Sequence, residues 1–174
     1  MTRSINSLVI HCSATKEGKD VSANTIKGWH INPKYNKTTG LYKYKGKIYS
    51  KEELPPEVKD LKGNGWSDIG YHYVIGLDGV LEDGRPNQVI GAHAKGHNRT
   101  SLGICLVGGL GKDMQPKITY TIAQMKTLKA LVKFLRKMYD IDDSNVAGHR
   151  DLGALKACPC FDVKTWMESG ELID

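Results

Sequence analysis

Ser101-Leu102-Gly103-Ile104-Cys105-Leu106-Val107-Gly108-Gly109 decides the fold. The run from Leu102 to Val107 is continuously apolar or small, which predicts a central strand closed by the glycine pair. Downstream, Thr121 to about Tyr139 reads as the clearest helix. Thr121 and Gln124 have capping-box spacing, and Ile122, Met125, Leu128, Leu131, Leu135 and Met138 mark an apolar face. Upstream, Leu8-Val9-Ile10 is a short β-branched strand ending at His11. Ser22 caps a second helix through about Trp29, with Ile26 and Trp29 on one face. Tyr71 to Leu77 alternates as a strand does, and Asp78-Gly79 turns it into Val80-Leu81-Glu82. Val146-Ala147 is a last short strand that delivers His149. Helices interleaved with strands around one sheet define an α/β domain.

Residues 31–65 differ in character. They hold eight Lys, four of the eight Tyr and three of the six Pro. Within them Leu41 to Tyr49 reads as a polar hairpin turning at Lys45-Gly46, with a short helix expected near Lys51. We read residues 1–174 as a single domain decorated by this Lys/Tyr-rich insertion.

Composition narrows the function classes. The 174 residues are 40% hydrophobic and 25% charged, ordinary values for one globular domain. No run of about 18 apolar residues appears, so no membrane insertion is expected. The first seven residues lack the apolar core of a secretory signal, so synthesis in the cytoplasm is expected, with release or export by another route left open. The net charge of +6 favours polyanionic surroundings, but no nucleic-acid reading motif accompanies it, and no nucleic-acid partner is expected. No coiled-coil heptads appear, and a monomer is the expectation.

The chemistry rests on His11, His149 and Cys158. His11 ends the first strand, His149 follows the last, and Cys158 stands nine positions beyond it. Imidazole and thiolate are ligands that zinc prefers, and three of them leave the fourth tetrahedral position to water. Zinc lowers the pKa of such a water towards about 7. A closed, structural site that adds Cys160 is the competing arrangement. Cys105 reads as a buried small hydrophobe. His30, His72 and His97 read as packing or surface residues, and Gly103, Gly108 and Gly109 as turn and close-packing positions.

Five stretches in order carry a resemblance. They are Val9-Ile10-His11-Cys12-Ser13-Ala14-Thr15, Asp68-Ile69-Gly70-Tyr71-His72-Tyr73, Gly91-Ala92-His93-Ala94-Lys95-Gly96-His97-Asn98, Ser101 to Gly109, and Gly148-His149-Arg150-Asp151 with Lys156-Ala157-Cys158-Pro159. Together they resemble the type-2 N-acetylmuramoyl-L-alanine amidases, which include phage lysozyme-like amidases and the peptidoglycan recognition proteins. The resemblance implies a mixed central sheet flanked by helices, with zinc at the floor of a surface groove. It also implies peptidoglycan as partner and hydrolysis of the amide between the lactyl group and L-alanine. By matching position, His11, His149 and Cys158 are the implied zinc ligands. Tyr71 is the implied assistant of the metal's water, and Lys156 the basic group beside the reacting carbonyl. His93 and Trp29 are expected to line the groove and hold substrate. A peptidoglycan-binding protein with a structural zinc site and no catalysis is the alternative.

Overall fold

The computed structural model describes residues 3–172. Its main sheet has five strands: β1 (Ser7–Cys12), β2 (Tyr73–Ile75), β3 (Leu81–Asp83), β4 (Ser101–Leu106) and β5 (Val146–Gly148). Their order across the sheet is β5-β1-β4-β2-β3. β1 runs parallel to both β5 and β4, β4 runs parallel to β2, and only the β2–β3 hairpin is antiparallel. The apolar run at 102–107 thus occupies the middle of a mixed sheet. Leu102, Ile104 and Leu106 face one side of β4, while Cys105 and the adjoining Val107 face the other.

Two helices cover the first side: α2 (Ile122–Tyr139) and the shorter α3 (Val163–Ser169). Leu8, Ile10, Ile104, Leu128, Leu135, Phe161 and Val163 form the larger core there. The helix α1 (Ala23–Ile31) covers the other side, burying Ile26 against Ile69, Val74 and Cys105. Strand alternation therefore sends Leu8 and Ile10 towards α2 and leaves His11, the register partner of Cys105, for the α1 side.

The ends of α2 differ from expectation. Ile122 and Met138 are exposed, and the buried stripe is Gln124, Leu128, Leu131, Val132 and Leu135. An 18-residue helix is about 27 Å long, whereas a six-residue strand spans about 20 Å, so the helix overhangs the sheet. The capping box is present, and Gln124 does more than cap: its buried Nε2 donates to Ile75 O and Val107 O. One side chain thus ties the helix start to two strands.

Residues 33–65 leave the C-terminal end of α1 and return to it. Gly63, Asn64, Gly65 and Trp66 donate to the carbonyls of Pro33, Trp29, Asn32 and His30. Between these points lies a three-stranded antiparallel sheet (Lys34–Tyr35, Tyr42–Tyr44, Lys47–Tyr49) over a small core of Tyr44, Leu54 and Val58. The helix expected near Lys51 is replaced by a turn. Ser50 and Glu53 exchange the hydrogen bonds of a helix start, but Pro55-Pro56 stops propagation and only a 3-10 turn at Pro56–Val58 follows. The strand expected over Tyr71–Leu77 is shorter, leaving Tyr71 just before it. Among the described residues no helix is long and apolar enough to cross a membrane.

Candidate metal centre

The three expected ligands converge. One donor atom each from His11, His149 and Cys158 lies within 4.8 Å of the other two, and His11 Nδ1 stands 3.9 Å from Cys158 Sγ. Tetrahedral zinc with bonds of about 2.0–2.3 Å needs such atoms roughly 3.4–3.8 Å apart, so a small contraction would seat the ion. Two neutral imidazoles and one thiol also suit zinc by donor chemistry.

Local backbone explains the convergence. β1 and β5 are parallel neighbours, so His11 and His149 emerge together at their carboxyl ends. Cys158 is drawn in by the chain around it. Arg150 N–H donates to Cys158 O at 2.7 Å, and Cys12 N–H donates to its Sγ at 3.2 Å. Gly148 permits this approach, since a Cβ there would stand 2.8 Å from Pro159 Cδ. His11 is buried at 1% exposure, whereas His149 and Cys158 are half-buried, so the cluster has a closed floor and an accessible rim.

Both imidazoles are poised to ligate. Burial, then His93, His149 and the Lys156 ammonium, hold the His11 pKa well below its ordinary value. Burial and Lys156 lower that of His149. Neutral rings with free lone pairs are the forms a metal needs. Lys156 itself is exposed on the loop before Cys158.

Tyr71 packs its ring on His11, with centroids 5.2 Å apart, and on His30 at 5.5 Å. Burial, reinforced by Cys105, Cys158 and Cys12, raises its pKa well above 10, so it acts as a neutral phenol. His30 helps to set it, because its Nδ1 accepts Gly70 N–H at 3.0 Å, immediately before Tyr71. Trp29 is half-buried against the α1-side core.

The competing closed site is not formed, and one expected substrate-binding residue lies elsewhere. Cys160 is buried and turned away, donating to Gly109 O at 3.1 Å, which leaves it outside the ligand cluster. His93 does not line a groove. It is 8% exposed, and its Nδ1 lies 3.0 Å from His11 Nε2. Its direct neighbour is His11, an expected ligand, and the bare Cα atoms of Gly91 and Gly103 leave the room for its ring. Sequence gave little signal for this: only the strand glycine Gly103, whose missing side chain makes the room, hinted at a close approach.

The comparisons agree with the geometry. The profile of the N-acetylmuramoyl-L-alanine amidase family matches residues 1–161. This chain belongs to that family. It is 34% identical over 170 residues to the endolysin of Escherichia phage T7, spanning 98% of this chain and 90% of that protein. It is 36% identical over 166 residues to the endolysin of Klebsiella phage KP32, spanning 95% and 87%. Among solved structures, bumblebee PGRP-SA superposes with a TM-score of 0.60 at 22% identity, covering 97% of this chain and 87% of that one. The Ph2119 endolysin of a Thermus scotoductus bacteriophage gives 0.60 at 22% identity, covering 91% and 80%. These two share the fold.

Proposed function

We propose that this chain is a zinc-dependent amidase that cleaves peptidoglycan between the lactyl group of N-acetylmuramic acid and L-alanine. The observation that carries the reading is the convergence of His11, His149 and Cys158, with no fourth protein ligand in their cluster among the described residues, in a member of this family. When bound, zinc supplies Lewis acidity towards the amide carbonyl and acidifies a water in its vacant position. The residues do the rest. His11, His149 and Cys158 hold the ion. The neutral Tyr71 phenol hydrogen-bonds and orients the attacking water. The Lys156 ammonium meets the negative charge that develops on the carbonyl oxygen. Trp29, at the end of α1, offers an aromatic face to the sugar strand. The protein works on the cell wall after release or export, and as a monomer.

Purified protein on isolated sacculi, with and without a chelator, tests this reading. New L-alanine amino termini that vanish with chelation and return with zinc are expected. Lys156→Ala should lower the rate by about 10²- to 10³-fold. Release of reducing sugar ends would overturn the reaction assigned, and tight sacculus binding without any new termini would make the chain a binder.

A further inference from the structure

We propose that His93 is the positioning residue of the metal centre: it accepts the Nε2–H of His11 and so fixes the His11 tautomer whose Nδ1 lone pair faces His149 and Cys158. This rests on the metal reading given above.

The argument starts at a carbonyl. His97 O can only accept, so Ser101 Oγ, 2.8 Å away, must donate its one proton there. The hydroxyl then has only lone pairs left for His93 Nε2, at 3.4 Å, which must carry a proton. A neutral imidazole protonated at Nε2 has its acceptor at Nδ1. That atom faces His11 Nε2 at 3.0 Å, so His11 donates, and its proton cannot reside on Nδ1. The remaining lone pair of His11 is the one directed at Cys158. A single direction of donation thus runs from ligand to backbone carbonyl. The opposite tautomer of His11 would present N–H to the ion and could not bind it.

The chain is held in a shaped slot. A Cβ at Gly103 would stand 2.5 Å from His93 Cγ, and one at Gly91 2.6 Å from its Cδ2. The ring is therefore gripped between β4 and its own loop. Asn98 Oδ1 accepts the backbone N–H groups of His93 and Ala94 at 2.8 and 2.9 Å. Arg3 donates to the carbonyls of Asn98 and Ser101. His72 packs edge-on against the ring at 5.6 Å, with its own nitrogens spent on Gly103 N–H and Val89 O. An apolar ring would fill this slot without the cost of burying two nitrogens, which are compensated here only by the relay.

The test measures zinc affinity of the metal-free protein by chelator competition, using wild type and three variants. In His93→Asn, Oδ1 replaces the Nδ1 acceptor. In His93→Gln the amide is displaced beyond reach of His11, and in His93→Phe the acceptor is absent. Gln and Phe should weaken zinc binding by about 10- to 100-fold, while Asn stays within about threefold of wild type. Cobalt titration gives a second readout: the tetrahedral visible bands should persist in Asn and weaken in Gln and Phe. Should Phe fail to fold, the two amides decide alone. Wild-type affinity in Gln or Phe, or equal loss in Asn and Gln, overturns the proposal. Wild-type protein that binds no zinc overturns the metal reading and this one together. Normal zinc binding by wild type with no difference among variants overturns this one only.

Discussion

Gly103→Ala isolates the packing that supports the candidate metal centre. Gly103 sits within β4 and has no positive backbone angle, so alanine is compatible with the local conformation. The whole cost comes from contact. The added methyl would stand 2.5, 2.7 and 2.8 Å from three atoms of the His93 ring, where ordinary contact begins near 3.4 Å. Relief requires the ring to move by about 1 Å, but Gly91 closes the slot from another side. A shift of that size would stretch the 3.0 Å contact with His11 beyond hydrogen-bonding range. Overpacking costs about 1–3 kcal/mol, and a buried polar group left unpaired costs about 1–3 more. For a domain of this size the sum predicts a fall in Tm of roughly 5–15 °C in the metal-free protein. Gly28→Ala is the control. Gly28 lies in α1 with its nearest neighbour at 3.9 Å, so alanine should stabilise by about 0.5–1 kcal/mol. Both are read by thermal and urea denaturation in chelator. Wild-type stability in Gly103→Ala would refute the reasoning, because no open space exists for the methyl.

Three further outcomes follow from the same geometry. Cys160→Ser should retain zinc affinity and activity, since the thiol serves Gly109 O; a loss of about tenfold or more in affinity would make it a fourth ligand. Gln124→Leu should destabilise by about 1.5–5 kcal/mol in urea unfolding, because it leaves the buried Val107 O unpaired and removes half of the capping box, while Ile75 O keeps the Val107 N–H. Stability of the metal-free protein should fall as pH drops from about 6.5 to 4. Burial lowers the folded pKa of both His30 and His72 to about 4, so the unfolded chain binds protons first in that window. Each contributes about 3 kcal/mol above pH 6.5, and His72→Gln should flatten the profile measured by urea titration.

Much of the fold is legible in residue order. The unbroken apolar run at 102–107 has to lie centrally, and Thr121 with Gln124 marks a helix start in chemistry that any context preserves. The Asp78-Gly79 turn is likewise local, with Gly79 at φ 82°. Expectations failed where a second feature, near or distant, competes with the local signal. Ile122 and Met138 have the right periodicity, but the sheet beneath them is shorter than the helix. Ser50 and Glu53 start a helix that two prolines forbid.

The candidate site divides in the same way. His11, His149 and Cys158 are identifiable because residue type, strand ends and family motifs carry ligand chemistry in the sequence itself. Their mutual distance is set by the parallel pairing of β1 with β5 and by the contact of Pro159 with Gly148, which join segments more than 130 residues apart in one case. The place of His93 behind His11, and the exclusion of Cys160 from the cluster, were decided only by tertiary structure. A side chain's type states which bonds it is able to make. Which of them it makes depends on what the folded chain brings within about 3 Å, and that information is not local.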